Sequence, residues 1–450
     1  MNGLQNKYNV IITGAGVSGC MAAIAAAREG ASVLLLEQYG FSGGALTNAG
    51  VGPMMTFHAG TKQVVGGLAQ ELVDRLVEAG GSTGHIEDST GYVSTVTPFA
   101  PETLKRVLDE MLLEAGVEVL YHSFLCAAKT EGRKLVSVTA ASKNGLTEYR
   151  ADCFVDATGD GDLAARAGAS VKAGRNSDGL CQPMTMNFTI DNVDSKRLYR
   201  EIHEHPENYN IRDLTALDRA ERLLVAGFYR EFAAAKAEGR VTSERNDLML
   251  FETSEPGTYV VNATRVVRLD PLDPKELSEA ERLGRKQVEE IYRMLVNEAP
   301  GCEHARLVST GIQIGVRESR RVSGEVVLTA GDLLEGRSYP DTIALGSYPI
   351  DIHDPSGNGT ESVFLERGKF YQIPLRALIS RDFDNLLVCG RCISATHEAI
   401  AALRVTPISM ATGQAAGAAS AVVAKTGVPA REIDPKEVIR RLQKQKVILE

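Results

Sequence analysis

The chain has 450 residues, of which 44% are hydrophobic and 24% are charged, and its formal net charge is −9. This balance is typical of folded globular proteins and excludes a disordered chain, a collagen-like chain and a disulfide scaffold. An acidic chain without a block of basic residues argues against a nucleic-acid or membrane partner. At about 150 residues per domain, the length predicts two or three domains.

Seven cysteines, an odd number, lie mostly in apolar contexts and are interpreted as reduced thiols. Residues 1–9 are polar and show no signal-peptide pattern. The longest mostly apolar stretch, 407–425, is interrupted by polar residues, whereas a membrane span needs about 20 apolar residues. We therefore expect a cytoplasmic protein.

A glycine-rich turn joins the first predicted strand to the first predicted helix. The strand covers Tyr8–Thr13, the turn reads GAGVSG from Gly14 to Gly19, and the helix runs from Val17 to about Glu29. A second strand, 32–37, ends in Glu37. Strand, glycine turn, helix, strand and acid at these spacings predict a dinucleotide site, with phosphates at the helix N-terminus and ribose at the acid.

A second glycine pair, Gly43-Gly44, follows the acid within the segment Gln38–Thr47. In an FAD enzyme, the backbone passes along the diphosphate and the flavin at this place. A nicotinamide enzyme would instead continue into its next βα unit. The pair therefore favours FAD over NAD, although a flexible loop would also contain such glycines.

The middle of the chain first completes this nucleotide domain. We predict a helix over 101–115, a strand over 117–121, a hairpin of 124–130 with 135–142, and a strand over 151–157. This last strand leads into Asp156-Ala157-Thr158-Gly159-Asp160-Gly161-Asp162, a turn that closes over the adenosine side of FAD in flavoproteins. A calcium loop is the disfavoured alternative, because Leu163-Ala164-Ala165 interrupts the required alternation of oxygen ligands.

Residues 173–301 differ in character from the residues before them. Long charged helices are predicted over 195–205, 217–238 and 275–298, separated by short strands over 183–190 and 258–262. We interpret this region as an inserted α+β substrate or cap domain. The next segment, 311–321, is predicted to be an apolar strand that runs into a basic turn containing Arg317.

The C-terminal region combines a buried strand, 386–389, with a small-residue helix over 408–424 that begins at Pro407. Its glycines, Gly413 and Gly417, are expected to let it lie close to the cofactor or the sheet. The helix N-terminus would stabilise negative charge on a reduced flavin. Cys389 and Cys392 have the spacing of a redox pair, but a strand end would not lower a thiol pKa, so redox activity is disfavoured.

Together these motifs resemble FAD-dependent oxidoreductases of the glutathione-reductase-type, fumarate-reductase-like group. The resemblance covers nearly the whole chain and implies FAD. No motif identifies a residue for a covalent link to the flavin, so we expect non-covalent FAD, and we expect no metal. The fold it implies is α/β: a Rossmann-like FAD-binding domain with a three-layer, mostly parallel sheet (1–175 and 375–450) and an inserted α+β domain (176–374). The residues assigned to FAD are Gly14, Gly16, Val17, Ser18, Gly19, Glu37, Gln38, Ser42, Gly43, Gly44, Thr47, Leu125, Ala157, Thr158, Gly159, Asp162, Gly390, Arg391, Pro407 and Ile408.

The resemblance also implies substrate residues. In the fumarate-reductase-like group, an arginine and a histidine near the C-terminal flavin helix hold a substrate carboxylate. Arg404 is similar to that arginine, and His397 more loosely to that histidine; Arg317, Tyr348 and His353 are secondary candidates. The group's Gly-Gly-Asn-Ser sequence before the helix is Val405-Thr406-Pro407-Ile408 here, so carboxylate recognition is the less secure implication.

The expected reaction is hydride transfer between a small organic substrate and flavin N5. One strand-linked GxGxxG is present, so we expect no separate NAD(P) domain, and the second electron partner and homo-oligomerisation stay open. Two alternatives are an NAD-dependent dehydrogenase and a non-enzymatic binder that keeps the flavoprotein fold.

Overall fold

The computed structural model describes residues 7–357 and 359–450. The polar N-terminal stretch considered above therefore lies mostly outside the described residues. The helices are α1 Val17–Arg28, α2 Leu68–Glu78, α3 Pro101–Glu114, α4 Asp162–Ala167, α5 Ser195–Glu204, α6 Leu214–Arg219, α7 Tyr229–Ala237, α8 Pro274–Glu298, α9 Ala330–Leu334, α10 His397–Leu403, α11 Thr406–Thr426 and α12 Pro435–Lys444.

The strands are β1 Lys7–Thr13, β2 Val33–Leu36, β3 Met54–Met55, β4 His58–Ala59, β5 Lys62–Gln63, β6 Ile86–Glu87, β7 Thr95–Thr97, β8 Glu118–Leu120, β9 Phe124–Glu131, β10 Lys134–Ser142, β11 Gly145–Asp156, β12 Val171–Ala173, β13 Phe188–Asp191, β14 Leu224–Gly227, β15 Leu248–Glu252, β16 Tyr259–Asn262, β17 Arg306–Thr310, β18 Arg320–Val322, β19 Thr342–Gly346, β20 Ile350–His353, β21 Thr360–Val363, β22 Tyr371–Pro374 and β23 Leu386–Val388. Among the described helices, none is long and apolar enough to cross a membrane.

A mostly parallel sheet lies at the centre of the larger hydrophobic core. Its strand order is β8-β2-β1-β11-β10-β9, and β23 also pairs with β11. β1 lies between β2 and β11 and runs parallel to both, whereas β9 and β10 form an antiparallel hairpin at one edge. β2 is apolar and wholly buried, as is typical of a strand covered on both faces. The expected α/β fold class is confirmed.

Helix α11 packs along α1, and two glycines allow this close approach. A Cβ on Gly413 would lie 2.1 Å from the Ser18 carbonyl oxygen, and one on Gly417 would lie 2.1 Å from that of Ala22. The small-residue face was expected to lie against the cofactor or the sheet. Its glycines contact the backbone of α1, and the helix also packs against β1 and β11 of the sheet. The contact with α1 brings the N-termini of both helices to the same region.

A second core surrounds an antiparallel sheet of order β14-β15-β16-β13-β17. Its buried apolar residues come from 184–314, with Val316 packed against them, whereas the first core takes residues from 8–169 and again from 322–442. The second sheet is therefore built from one continuous insert in the chain.

Two sequence expectations in this insert are wrong. Residues 217–238 are not one helix, because the buried segment Leu224–Gly227 pairs with β15 as a strand between α6 and α7. Residues 311–316 form no regular strand. The amide of Gln313 donates to Asn48, while those of Gly311 and Gly315 donate to Asn187 and Thr185, so this segment is divided between two parts of the molecule.

Candidate functional site

The glycine turn after β1 has two kinds of glycine. Gly14 has φ +94°, and a Cβ there would lie 2.6 Å from the Ala157 carbonyl oxygen; a Cβ on Gly19 would lie 1.9 Å from that of Gly14. These two positions are glycine because the backbone packs against them. Gly16 has ordinary extended geometry, and its nearest neighbour, the Gly44 Cα, is 3.8 Å away. Gly16 therefore faces open space.

Glu37 connects the end of β2 to this turn. Its carboxylate accepts hydrogen bonds from the backbone amides of Ala15 (2.6 Å) and Tyr39 (2.9 Å). Burial raises the pKa of Glu37, and the amide hydrogen bonds oppose that rise. Each carboxylate oxygen retains acceptor capacity for a hydroxyl group in the cavity.

The second glycine pair lies directly on the first turn. The amide of Gly43 donates to the Ala15 carbonyl (2.8 Å), and a Cβ on Gly44 would lie 2.7 Å from the Gly16 Cα. Thr47 donates to the Ser42 carbonyl (2.9 Å) and thereby fixes the loop. Gly44 thus contributes a surface to the cavity, whereas Ser42 and Thr47 support it from behind.

The turn after β11 forms another wall. Buried Asp156 accepts hydrogen bonds from Thr158 and from the Ala164 amide, and these bonds shape the turn. Asp160 pairs with Arg391 at 2.8 Å. Asp162 pairs with Arg166 and Arg320 at 2.8 and 2.9 Å. These two carboxylates are therefore neutralised by arginines rather than directed together at a cation.

These walls enclose one end of a cavity of about 800 Å³, a volume typical of cofactor sites. The expected cofactor residues that line it are Gly14, Gly16, Val17, Ser18, Glu37, Gln38, Gly44, Leu125, Ala157, Thr158, Gly159, Asp162 and Arg391. The N-terminus of α1, whose N-cap Gly16 offers no side-chain cap, points its first turn at this end.

The remaining expected cofactor residues lie behind the described lining: Gly19, Ser42, Gly43, Thr47, Gly390, Pro407 and Ile408. Gly390 packs against the Ser18 side chain, 2.7 Å from where its Cβ would be, and Ile408 is fully buried. The N-terminus of α11 reaches the cavity through Val405, Thr406 and Ser409 instead. The helix was identified correctly, but the cavity-facing residues of its first turn were not.

The other end of the cavity contains four of the expected substrate residues: Arg317, Tyr348, His353 and Arg404. Arg404 makes only long contacts, from Nη2 to Gln182 (3.4 Å) and to the Asp351 carbonyl (3.5 Å). Its buried Nε has no hydrogen-bond partner among the described residues. Arg404 is therefore placed to bind a ligand.

His397 is the exception, and the expectation that it faces the substrate is corrected by its position. It is not among the residues lining the cavity, and its Nδ1 lies 2.8 Å from the Glu318 carboxylate. Glu318 also pairs with Arg321, and all three side chains are buried. His397 belongs to this buried ion cluster because the first turn of α10 directs it away from the cavity.

His353 lies in the cavity wall with both ring nitrogens hydrogen-bonded. Arg265 and Thr360 contact Nδ1 at 3.0 Å, and Asp351 contacts Nε2 at 3.2 Å. Because arginine can only donate, Nδ1 accepts and Nε2 carries the proton. Burial and the charge of Arg317 lower the pKa of His353 to about 3. His353 is thus a neutral, fully bonded side chain that positions Asp351 and Arg265.

Sequence reasoning missed three further residues of this end, Arg245, Arg265 and Asp351. Arg245 and Arg265 flank strands β15 and β16 of the inserted sheet, and both are buried. The sequence signalled only Arg265, which follows the apolar strand β16. An arginine after a strand is common at surface positions and does not by itself indicate a site.

Comparison with known proteins gives a family and a set of structural neighbours. A family model described as "FAD dependent oxidoreductase" matches residues 9–445. A triple mutant of the flavin-dependent brominase Bmp2 is 14% identical with a TM-score of 0.52, covering 97% of this chain and 84% of its own. The p-nitrophenol 4-monooxygenase PnpA from Pseudomonas putida DLL-E4 is 12% identical with a TM-score of 0.52, and the match covers 99% of this chain and 87% of PnpA. No curated protein matches the sequence significantly. At these identities, the structural neighbours show a shared fold.

Proposed function

The chain belongs to the FAD dependent oxidoreductase family, and from that premise we propose that it passes electrons between FAD and a small organic substrate bound at the arginine-lined end of the cavity. The observation that carries this proposal is that one continuous cavity joins the glycine turn of α1 to Arg317 and Arg404. Family membership favours this assignment over an NAD-dependent dehydrogenase and over a non-enzymatic binder.

The residues at the first end fit FAD. Gly16 leaves an open cradle, and the uncapped N-terminus of α1 offers backbone N–H groups to a diphosphate. Glu37 retains acceptor capacity for the ribose hydroxyls. When bound there, FAD supplies the two-electron chemistry of the reaction. We propose non-covalent binding, for which acid precipitation should leave all flavin in the supernatant.

The opposite end fits an anionic substrate. Arg404 and Arg317 present guanidinium groups to the cavity, and guanidinium is the side-chain group best matched to carboxylates. Asp351 stays ionised: burial opposes its charge, but His353, Arg404 and Arg317 lower its pKa. The N-terminus of α11 adds a positive dipole end at Thr406. These groups would bind and orient the substrate.

The reaction we propose is dehydrogenation or reduction of the substrate, with hydrogen passing directly between its carbon and the flavin. Placement in the glutathione-reductase-type, fumarate-reductase-like group is part of this proposal and is supported by Arg404 immediately before α11. Hydroxylation and halogenation, the reactions of the structural neighbours named above, are the second candidates, and only the shared fold favours them.

Anaerobic reduction of the flavin tests this proposal. The holoenzyme is mixed in the absence of oxygen with hydroxy, keto and unsaturated acids, sugars and amines. The visible absorbance of the oxidised flavin is followed. A dehydrogenase substrate bleaches the flavin directly. If only a nicotinamide bleaches it and the substrate acts afterwards in the presence of oxygen, the enzyme is an oxygenase and our proposal is wrong.

Arg404→Ala tests whether Arg404 binds the substrate. We expect it to keep FAD and thermal stability but to raise the substrate KM about tenfold or more, because a charged hydrogen-bond donor is lost. Arg293→Ala, at an exposed position on α8, removes the same charge far from the cavity and should leave KM unchanged. Loss of FAD or of folding in Arg404→Ala would show a structural role instead.

A further inference from the structure

Four of the arginines that line the cavity form a cluster at its substrate end. Arg245, Arg265 and Arg317 come from the insert, and Arg404 lies between α10 and α11. Arg245 and Arg265 are each only 3% exposed. A cluster of this size has to be balanced by negative charge, because burying unpaired charges is strongly unfavourable.

The chain supplies less negative charge than the cluster requires. Asp247 pairs with Arg245 at 3.1 Å, and Asp351 is the other carboxylate at this end of the cavity lining. Arg265 donates to the Gly359 carbonyl, to Thr360 and to neutral His353, none of which carries a charge. With His353 neutral, the four guanidinium groups of this cluster and the two carboxylates leave two positive charges uncompensated. A further arginine of the lining, Arg212, lies 3.8 Å from the Phe364 ring centroid and has no carboxylate partner in the part of the chain that the structure describes.

Within the described ranges, no third carboxylate pairs with these arginines, because Asp354, which also raises the pKa of Arg265, pairs with Arg175 at 3.2 Å. Arg317 donates to the Pro183 carbonyl (2.8 Å) and to the Thr185 hydroxyl. Arg404 donates at long range to an amide oxygen and a carbonyl. Each of these acceptors is neutral, so among the described residues Arg317 and Arg404 have no ion-pair partner.

The arginines also destabilise one another. Burial and the neighbouring Arg245 lower the pKa of Arg265 to about 10. Burial together with Arg404, Arg245 and Arg265 lowers the pKa of Arg317 well below its ordinary value. Since a guanidinium keeps its proton in proteins, such a shift signifies an unfavourable positive charge that a bound anion would relieve.

We propose that the substrate is an organic dianion, held by Arg245, Arg265 and Arg317 from the insert together with Arg404, which lies between α10 and α11. This inference rests on the proposed function and deepens it. Two carboxylates, or one phosphate monoester, would supply the missing charge, and both are groups that guanidinium binds with two parallel hydrogen bonds. Arg245 and Arg265 thus determine specificity, since a monoanion would leave one of the two positive charges uncompensated.

Equilibrium binding to the purified yellow holoenzyme tests the dianion directly, without any reduction of the flavin. The probes are the dicarboxylates from malonate to adipate, the matching monoamides, inorganic phosphate and glycerol phosphate. Binding is measured by the change in the flavin spectrum and by calorimetry. We expect at least one dianion to bind about tenfold or more tighter than its monoamide. Whether the tightly binding compounds are dicarboxylates or phosphate esters identifies the class of dianion that the protein binds.

Variants locate the binding. Arg265→Met should weaken binding of the best dianion about tenfold or more and leave its monoamide within about threefold, while Arg265→Lys should recover part of the loss. Arg293→Met on the surface of α8 should change neither. If Arg265→Met does not fold, Arg245→Lys, which retains the charge but not the planar fork, should still weaken the dianion more than the monoamide.

The outcomes separate this inference from the function proposed above. A colourless protein that takes up no FAD would contradict the proposed function. A yellow protein that binds dianions and their monoamides equally, or binds neither class, would contradict the dianion alone. Equal losses for both classes in Arg265→Met would show that Arg265 only supports the cavity wall, and would overturn its role in specificity.

Discussion

Gly16 and Gly19 belong to the same turn, but their surroundings differ. A Cβ on Gly19 would overlap the Gly14 carbonyl, whereas one on Gly16 would enter the cavity. We therefore predict that Gly16→Val folds with a near-normal melting temperature and is colourless, because valine fills the cradle for the diphosphate. Flavin content and thermal unfolding measure this.

Gly19→Val is the comparison variant. Its side chain would overpack the contact between β1 and α1, so we expect it to be destabilised by about 2 kcal/mol or more. A Gly16→Val protein that still contains stoichiometric FAD would show that the diphosphate does not lie on this turn.

The position of His397 differs from the expectation that it faces the substrate. Its ring lies against Glu318 in the buried ion cluster with Arg321. His397→Ala should reduce the free energy of unfolding by about 1–3 kcal/mol, because it leaves a cavity and removes one of the partners of Glu318, which keeps Arg321 and the Gln182 amide. The rate of anaerobic flavin reduction should stay within about threefold of the parent enzyme. A stable variant with a rate lowered a hundredfold would instead establish proton transfer by His397.

At the scale of elements, the contact between α1 and α11 brings two helix N-termini to one cavity. The backbones touch at Gly413 and Gly417, and Thr406 then lines the cavity at the start of α11. A helix N-terminus carries about half a positive charge. We propose that the two dipoles act on different parts of the same cofactor when it is bound, one on the diphosphate and one on charge that develops during reduction.

Thr406→Asp tests the second dipole. The added carboxylate opposes a stabilisation of about 1 kcal/mol. We therefore expect the two-electron midpoint potential of bound FAD to fall by roughly 20 mV. Thr426→Asp, at the exposed C-terminal end of the same helix, adds the same charge and should leave the potential unchanged. An identical potential in Thr406→Asp with FAD bound would contradict the assignment.

At the scale of the whole molecule, the two hydrophobic cores suggest how the chain is divided. The sequence predicts the insert to be 176–374, and this division stays a prediction. Because the second core uses 184–314, with Val316 packed against it, and the first core resumes at Val322, we propose that the insert ends near residue 320. The arginines of the substrate end then come from both domains, with Arg245, Arg265 and Arg317 in the insert and Arg404 in the FAD-binding domain.

The stability of the whole molecule should also depend on pH through two histidines. Burial lowers the pKa of His85 to about 4, with a contribution from His58; the pKa of His353 is about 3. In the unfolded chain both protonate near pH 6.5. The unfolded state therefore binds more protons between about pH 6.5 and 3, and the free energy of unfolding should fall as the pH falls through this range.

Chemical denaturation at several pH values measures this dependence. His85→Gln should flatten it between about pH 6.5 and 4, because the glutamine does not titrate. His304→Gln, at an exposed position, serves as the control. A dependence that is equally steep in His85→Gln and in the parent protein would show that His85 does not contribute.

The sequence by itself determined the features that are local in the chain. The turn from Gly14 to Gly19 and the acid at Glu37 are fixed by spacing within one βαβ unit, and β1, α1, α3, α8 and α11 follow from apolar periodicity and end signals. The family and its cofactor could be inferred from the same motifs, because backbone geometry at a phosphate site requires particular residues at particular positions.

Only the tertiary structure decided which side chains share the substrate end. The sequence favoured His397 over His353 as a substrate residue, yet His397 packs into an ion cluster and His353 lines the cavity. Arg245 and Arg265 join Arg317 and Arg404 because the inserted sheet folds over the flavin-binding part. The physical reason is that local periodicity specifies which residues are buried, whereas the partner of a buried charge is set by long-range packing that no short segment of sequence encodes.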